Sequence, residues 1–190
     1  MPNANPSSAI ALAEGVGGSY SAPWRARAAR LYPRAAAVAR VAPSDPAIRV
    51  ATDFARDEPR TITRDRRIED ALREMECSNV GALLVAQDAL VIGLITSYDI
   101  EGRRPLEFLR NSRCLARREI EVQHMMTPWD RLSTLEWTAV CTATASHIER
   151  YFRNTRASHV MLVEQLEYLG PCVRGLISRR RVEREMGRAL

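Results

Sequence analysis

The stretch "GLITSYDI" at 93–100 sets a hydroxyl, Thr96, three residues ahead of a carboxylate, Asp99, where an apolar run gives way to a polar one. If a strand ends at Ile95, Thr96 becomes the N-cap and Asp99 the N3 residue of the next helix. The helix start then presents unpaired backbone N–H groups and the positive end of the dipole, a place that favours anions and phosphate above all. Thr96 can donate to a phosphate oxygen, and Asp99 can accept from a pair of hydroxyls such as a ribose diol. The same two residues also make a capping box, worth about 1 kcal/mol to the helix with no ligand at all. On this stretch alone both readings stand.

A second copy, "GLISRRRV" at 175–182, keeps the hydroxyl as Ser178 but carries Arg181 where the carboxylate stood, beside Arg179 and Arg180. A guanidinium cannot accept a hydrogen bond from ribose, so this copy is disabled as a ribose clamp. Cations at a helix N-terminus oppose the dipole unless an anion sits there. Arg179 or Arg181 is therefore expected to reach the polyphosphate of a nucleotide held by Thr96 and Asp99. A solvated, charged helix start is the competing reading.

The elements that would position these residues recur in order. "RTIT" at 60–63 reads as a strand, and Asp65 as the N-cap of a helix whose Ile68, Ala71, Leu72 and Met75 share one face. "ALLVA" and "LVIGLI" follow as strands covered on both faces, and "TSYDIEGRRPLEFLR" begins a second helical stretch. After the connector "EIEVQHMMTPWDR", "LSTLEW" can be a strand, and Ala145, Ile148 and Phe152 repeat the helical spacing. "HVMLVE" then matches "ALLVAQ", and "VRGLIS" matches "VIGLIT". The offset between copies is 77 residues at Ala86 and Val163 and 82 at Gly93 and Gly175, so five extra residues fall in the turn "QLEYLGPC". Gly93 itself allows close approach of backbones within its strand.

The repeated unit, with its two glycine–apolar–any–Ser/Thr stretches, its amphipathic helices and "HMMTP" before the second copy, resembles the cystathionine β-synthase (CBS) domain, which occurs in tandem pairs. The likeness spans residues from about 50 to 190. It implies an α/β fold of two repeats, each strand-helix-strand-strand-helix, related by a pseudo-twofold. The division is an Ala/Arg/Pro-rich extension at 1–47, irregular or partly helical, a first repeat at 48–120 and a second at 121–190. It further implies a Thr96 contact to phosphate, with Ser97 beside it, and an Asp99 contact to ribose. The base is expected against the first strand and the segment entering the central strand, at Thr61, Ile62, Val80 and Ala82. His159, Ser178, Arg179 and Arg181 stand as a possible second site or as phosphate contacts. An adenine nucleotide or related adenosyl compound is the implied ligand, with no covalent cofactor, and the implied assembly is a homodimer controlling a separate, unidentified protein. A ligand-free interaction scaffold is the alternative.

Composition narrows the remaining classes. All 28 basic residues are arginine, which reflects a GC-rich genome more than chemistry. Residues 1–50 hold six arginines against Glu14 and Asp45, so nearly all of the net +5 lies there and the rest is close to neutral. That argues against a folded nucleic-acid-binding face. The longest apolar runs fall far short of the roughly 20 residues needed to cross a bilayer, and the start lacks the basic region of a secretory signal. A cytoplasmic protein is expected, although the arginine-rich, acid-poor start also resembles a transit peptide. Cys77, Cys114, Cys141 and Cys172 show no metal spacing, and His124, His147 and His159 form no nucleophile or acid–base arrangement. No catalytic activity is expected.

Overall fold

A computed structural model describes residues 40–112 and 116–190. The Ala/Arg/Pro-rich extension up to residue 39, expected to be irregular or partly helical, lies outside the described residues, as does Cys114. Two four-stranded sheets organise the rest. The first takes β2 (Thr61–Ile62), β3 (Ala82–Gln87), β4 (Leu90–Thr96) and β5 (Thr127–Pro128) in the order β2-β3-β4-β5. The second takes β1 (Thr52–Asp53), β6 (Thr134–Glu136), β7 (His159–Leu166) and β8 (Gly170–Ser178) in the order β1-β8-β7-β6. In each, a parallel pair spanned by a helical crossover precedes an antiparallel hairpin.

The register shows the duplication residue by residue. Leu84 faces Thr61 as Met161 faces Thr134, and Gly93 faces Val85 as Gly175 faces Leu162. Both hairpins shift register one residue later, between Val85 and Ala86 and between Leu162 and Val163. The five-residue surplus is divided between longer strands and a longer turn in the second hairpin.

Each sheet borrows its fourth strand. β1 lies near the start of the first repeat yet pairs with β8, and β5 near the start of the second yet pairs with β4. The sheets therefore cross the boundaries 48–120 and 121–190, the lead-in of each half completing the sheet of the other. A glycine stands at each crossing because nothing larger fits. A Cβ on Gly93 would lie 2.7 Å from the Thr127 carbonyl oxygen, and one on Gly175 would strike that of Thr52. Within the expected extension, Val41 and Ala47 are buried in the core of the second repeat.

The helices bury the faces their spacing marks. On α1 (Ile68–Ser78), Ile68, Ala71 and Met75 are buried and Leu72 packs beside them, while on α6 (Ala145–Asn154) Ala145, Ile148 and Phe152 are buried. The start of α1 differs from expectation. Arg67, not Asp65, is its N-cap, with no side-chain hydrogen bond. The backbone there is tied to the connector: Arg67 bridges to Glu121, and Ile68 N–H donates to Ile120 O at 3.1 Å. Asp65 accepts from the Thr63 side chain in the preceding turn, which holds its carboxyl below the usual range. Helix α2 (Ser97–Glu101) ends at Gly102, and α3 (Arg104–Asn111) restarts with a proline in its first turn. In the connector, α4 (Val122–Met125) leads into β5, and α5 (Trp137–Thr142), which no spacing marked, follows β6 directly.

Between the sheets lies a third cluster, Leu84, Leu94 and Met161, joined by Phe54, Trp129 and Leu176. By the register these are symmetry mates: Leu84 with Met161, Leu94 with Leu176, and Phe54 with Trp129. The two repeats thus pack face to face about a pseudo-twofold.

Candidate functional site

Where β4 ends, Thr96 is 5% exposed and caps α2 (Ser97–Glu101) in full. Its backbone N–H and its hydroxyl both donate to Asp99 Oδ2, at 2.9 and 2.8 Å, and Asp99 N–H donates back to Thr96 Oγ1 at 3.3 Å. The guanidinium of Arg104 holds Asp99 Oδ1. The capping box is therefore formed, and it presents Asp99 rather than hiding it. A carboxylate offers about four lone-pair sites, of which these bonds use three.

Thr96 and Asp99 open onto a cleft of about 390 Å³ whose far wall belongs to the second repeat. That wall is Arg131, Leu132 and Ser133 ahead of β6, together with residues 155–159 leading into β7. Leu94 and Thr127 complete the near side. Among these, Arg131 and Arg156 are exposed cations, while Leu94, Leu132 and Ala157 offer apolar surface. His159 is a half-buried residue of the cleft wall, with Nδ1 3.0 Å from Ser158 Oγ. Burial pushes its pKa down to about 4 against the opposing pull of the Asp99 charge, so the ring is neutral at pH 7. The volume falls in the range of small-ligand pockets. Among the described residues no group of His, Cys, Asp or Glu could hold a metal ion.

Of the residues singled out in the sequence, Thr96, Asp99 and His159 come together here. Ser97, the first residue of α2, gives its N–H to Gly81 O at 3.1 Å and does not line the cleft. Thr61, Ile62, Val80 and Ala82 do not line it either. By the repeat register, Val80 and Ala82 are the counterparts of Ala157 and His159, and Thr61 and Ile62 those of Thr134 and Leu135. Ala157 and His159 line the cleft, whereas Thr134 and Leu135 do not, their place being taken by Arg131, Leu132 and Ser133 just ahead of them; the pseudo-twofold sets the strand end of one half against the strand openings of the other. Thr127, Arg131, Ser133, Arg156 and Ser158 were missed for that reason. Carrying the 77-residue offset across the twofold takes Val80 and Ala82 to Ala157 and His159; no sequence signal marks Arg131 or Arg156.

Arg179 and Arg181 do not reach this cleft. Arg179 Nη2 donates to Phe152 O at 2.6 Å and Thr155 O at 2.7 Å, and Nε donates to Ala157 O at 3.2 Å. Its guanidinium also lies over the Phe152 ring, 5.3 Å from the centroid. An arginine placed badly for its own helix, α7 (Arg179–Met186), thus satisfies the open carbonyls at the C-terminal end of α6 and braces the cleft wall from behind. Arg181 Nη1 donates to Thr52 Oγ1 at 2.8 Å, and Ser178 caps α7 by accepting from Arg181 N–H at 3.2 Å.

No family model and no curated protein matches the sequence. Solved structures do match. A conserved protein from Pyrococcus horikoshii is 20% identical at a TM-score of 0.54, over 79% of this chain and 98% of its own. CBSX2 in complex with AMP is 17% identical at 0.51, over 74% of this chain and 94% of its own. The CBS domain of a bacterial CNNM/CorC family Mg2+ transporter in complex with ATP is 14% identical at 0.50, over 78% of this chain and 91% of its own. At these identities the likeness is one of fold.

Proposed function

Starting from a chain with the fold of a tandem CBS pair, we propose that it is a nucleotide sensor. The cleft between the repeats binds an adenine nucleotide (AMP, ADP, ATP or a related adenosyl ligand), and its occupancy controls a separate partner protein. One observation carries this reading: a carboxylate presented by a capping box, a buried hydroxyl, two exposed arginines and apolar walls line one cleft. Asp99 Oδ1 accepts the ribose hydroxyls in competition with Arg104. Arg131 and Arg156 supply charge to the phosphates, and Leu94, Leu132 and Ala157 supply surface for the base. The AMP and ATP held by two of the similar structures support the choice of ligand. Binding moves the repeats only as far as the ligand's differential affinity for their two arrangements allows. The module assembles as a cytoplasmic homodimer and performs no catalysis.

The test is a thermal-shift panel of AMP, ADP, ATP, S-adenosylmethionine and NAD on wild type and Asp99→Ala. A ligand at 100 times its dissociation constant stabilises by about 2.7 kcal/mol, several degrees for a chain of this size. One compound is expected to raise the wild-type midpoint, and the variant to lose that rise. If no compound shifts nucleotide-free wild type, the module is a ligand-free interaction scaffold.

A further inference from the structure

The pseudo-twofold gives the cleft a counterpart on the other side of the inter-sheet cluster. Leu94, Thr96, Asp99 and Thr127 correspond to Leu176, Ser178, Arg181 and Thr52, while Ser158 and His159 correspond to Gly81 and Ala82. Three observations distinguish the counterpart. The position of the presented carboxylate carries the larger, cationic Arg181. Across from it, the two wall positions filled by Ser and His in the first cleft are Gly and Ala, so the wall has lost the volume that the arginine adds. And Arg181 is not solvated at its inner end. Nη1 donates to the hydroxyl of Thr52, the mate of the cleft-lining Thr127, at 2.8 Å, and Nε is buried with no hydrogen-bond partner.

We propose that Arg181 is a built-in occupant of the second cleft, its guanidinium lying where a ligand would lie in the first. The tandem pair then holds one nucleotide per chain, not two, and its response to ligand has no cooperativity between repeats within a chain. The asymmetry has a chemical and a steric part. A guanidinium offers only donors, so a ribose diol finds no acceptor there, and its contact with Thr52 closes the space. Exchanging this one side chain for a carboxylate reverses both. The exchange also suits the local fold, since Asp at position 181 would stand at N3 of α7 opposite the Ser178 cap and complete the box that Thr96 and Asp99 form in the first repeat.

The occupant role stands on the geometry of the second cleft, whereas naming its excluded ligand a nucleotide rests on the proposed function. Calorimetric titration with AMP and with ATP separates the two. Wild type, Arg181→Asp, Asp99→Ala and the double variant are expected to bind one, two, no and one equivalents per chain of whichever nucleotide the first cleft accepts. Two equivalents on wild type, or no added equivalent on Arg181→Asp in either background, would overturn the inference. If wild type binds neither nucleotide while Arg181→Asp binds one, the occupant role holds and the reading of the first cleft fails. If neither protein binds, the occupant role fails as well. Arg181→Ser serves where the aspartate variant does not fold: it removes the guanidinium and introduces a small hydroxyl, and it too is expected to gain an equivalent, at weaker affinity. Failure to gain one in a folded Arg181→Ser protein counts against the proposal in the same way.

Discussion

The two oxygens of the Asp99 carboxylate have different partners. Oδ2 is taken by the N-cap, which fixes the rotamer, and Oδ1 is held by the exposed guanidinium of Arg104. The pair of readings left open by T-x-x-D is therefore no conflict, since the capping box orients the group that a ligand would use. His159 carries the prediction at this scale. Its folded pKa of about 4 lies below the ordinary 6.5, so between those values the unfolded chain binds more protons. Stability is then complete above about pH 6.5 and is lost as the pH falls toward 4. Urea denaturation of wild type at pH 7 and pH 5 should show a drop in midpoint that is clearly smaller in His159→Gln; equal drops would mean that the ring is not held neutral. The lowered carboxyls of Asp53 and Glu149 act in the same direction but at lower pH, where those groups protonate. Thr96 and Asp99 were legible from their spacing because a cap is a local device. Arg179 was not, because the carbonyls it satisfies belong to a helix more than 20 residues earlier.

Among the elements, the two hairpins show what a turn must supply. Asp88 and Ala89 both take positive φ, 50° and 65°, the backbone of a two-residue type I′ connection, whereas the second hairpin places Gly170 at φ 74°. Alanine is strained there and glycine is not. Ala89→Gly creates an Asp-Gly turn and is expected to stabilise the chain by about 0.5–1 kcal/mol, the strain relief exceeding the entropic cost of glycine. An unchanged or lowered thermal midpoint would show that the turn is not strained. Helices α1 and α6 and the four long strands were readable because burial imposes a period of 3.6 on a helix and continuous apolar character on a strand covered on both faces. The start of α1 was not. Its position is set by the bridge from Arg67 to Glu121, some 50 residues away, and a good N-cap at Asp65 yields to that pairing.

Across the whole molecule, the cluster of Leu84, Leu94 and Met161 binds the two repeats into one cooperative body. Met161 is fully buried there, and Met161→Ala should cost about 2–5 kcal/mol. Because the cluster draws on both sheets, urea unfolding should stay a single transition followed alike by fluorescence and circular dichroism. Two separated transitions would show that the repeats fold independently. No helix among the described residues is long and apolar enough to cross a membrane. The amino-acid sequence by itself determined the duplication, the order of the repeated strands and amphipathic helices, the helical faces, the hydroxyl–carboxylate pair and the loss of that carboxylate in the second copy. Each of these depends on neighbours a few residues away or on comparing the chain with itself. The tertiary structure decided which lead-in strand completes which sheet, that Asp99 faces Ser158 and His159 rather than Val80 and Ala82, and that Arg181 turns inward to Thr52. The physical reason is common to all three: they follow from packing two similar halves face to face across a twofold, and identical local patterns are compatible with either pairing until apolar burial between the sheets selects one.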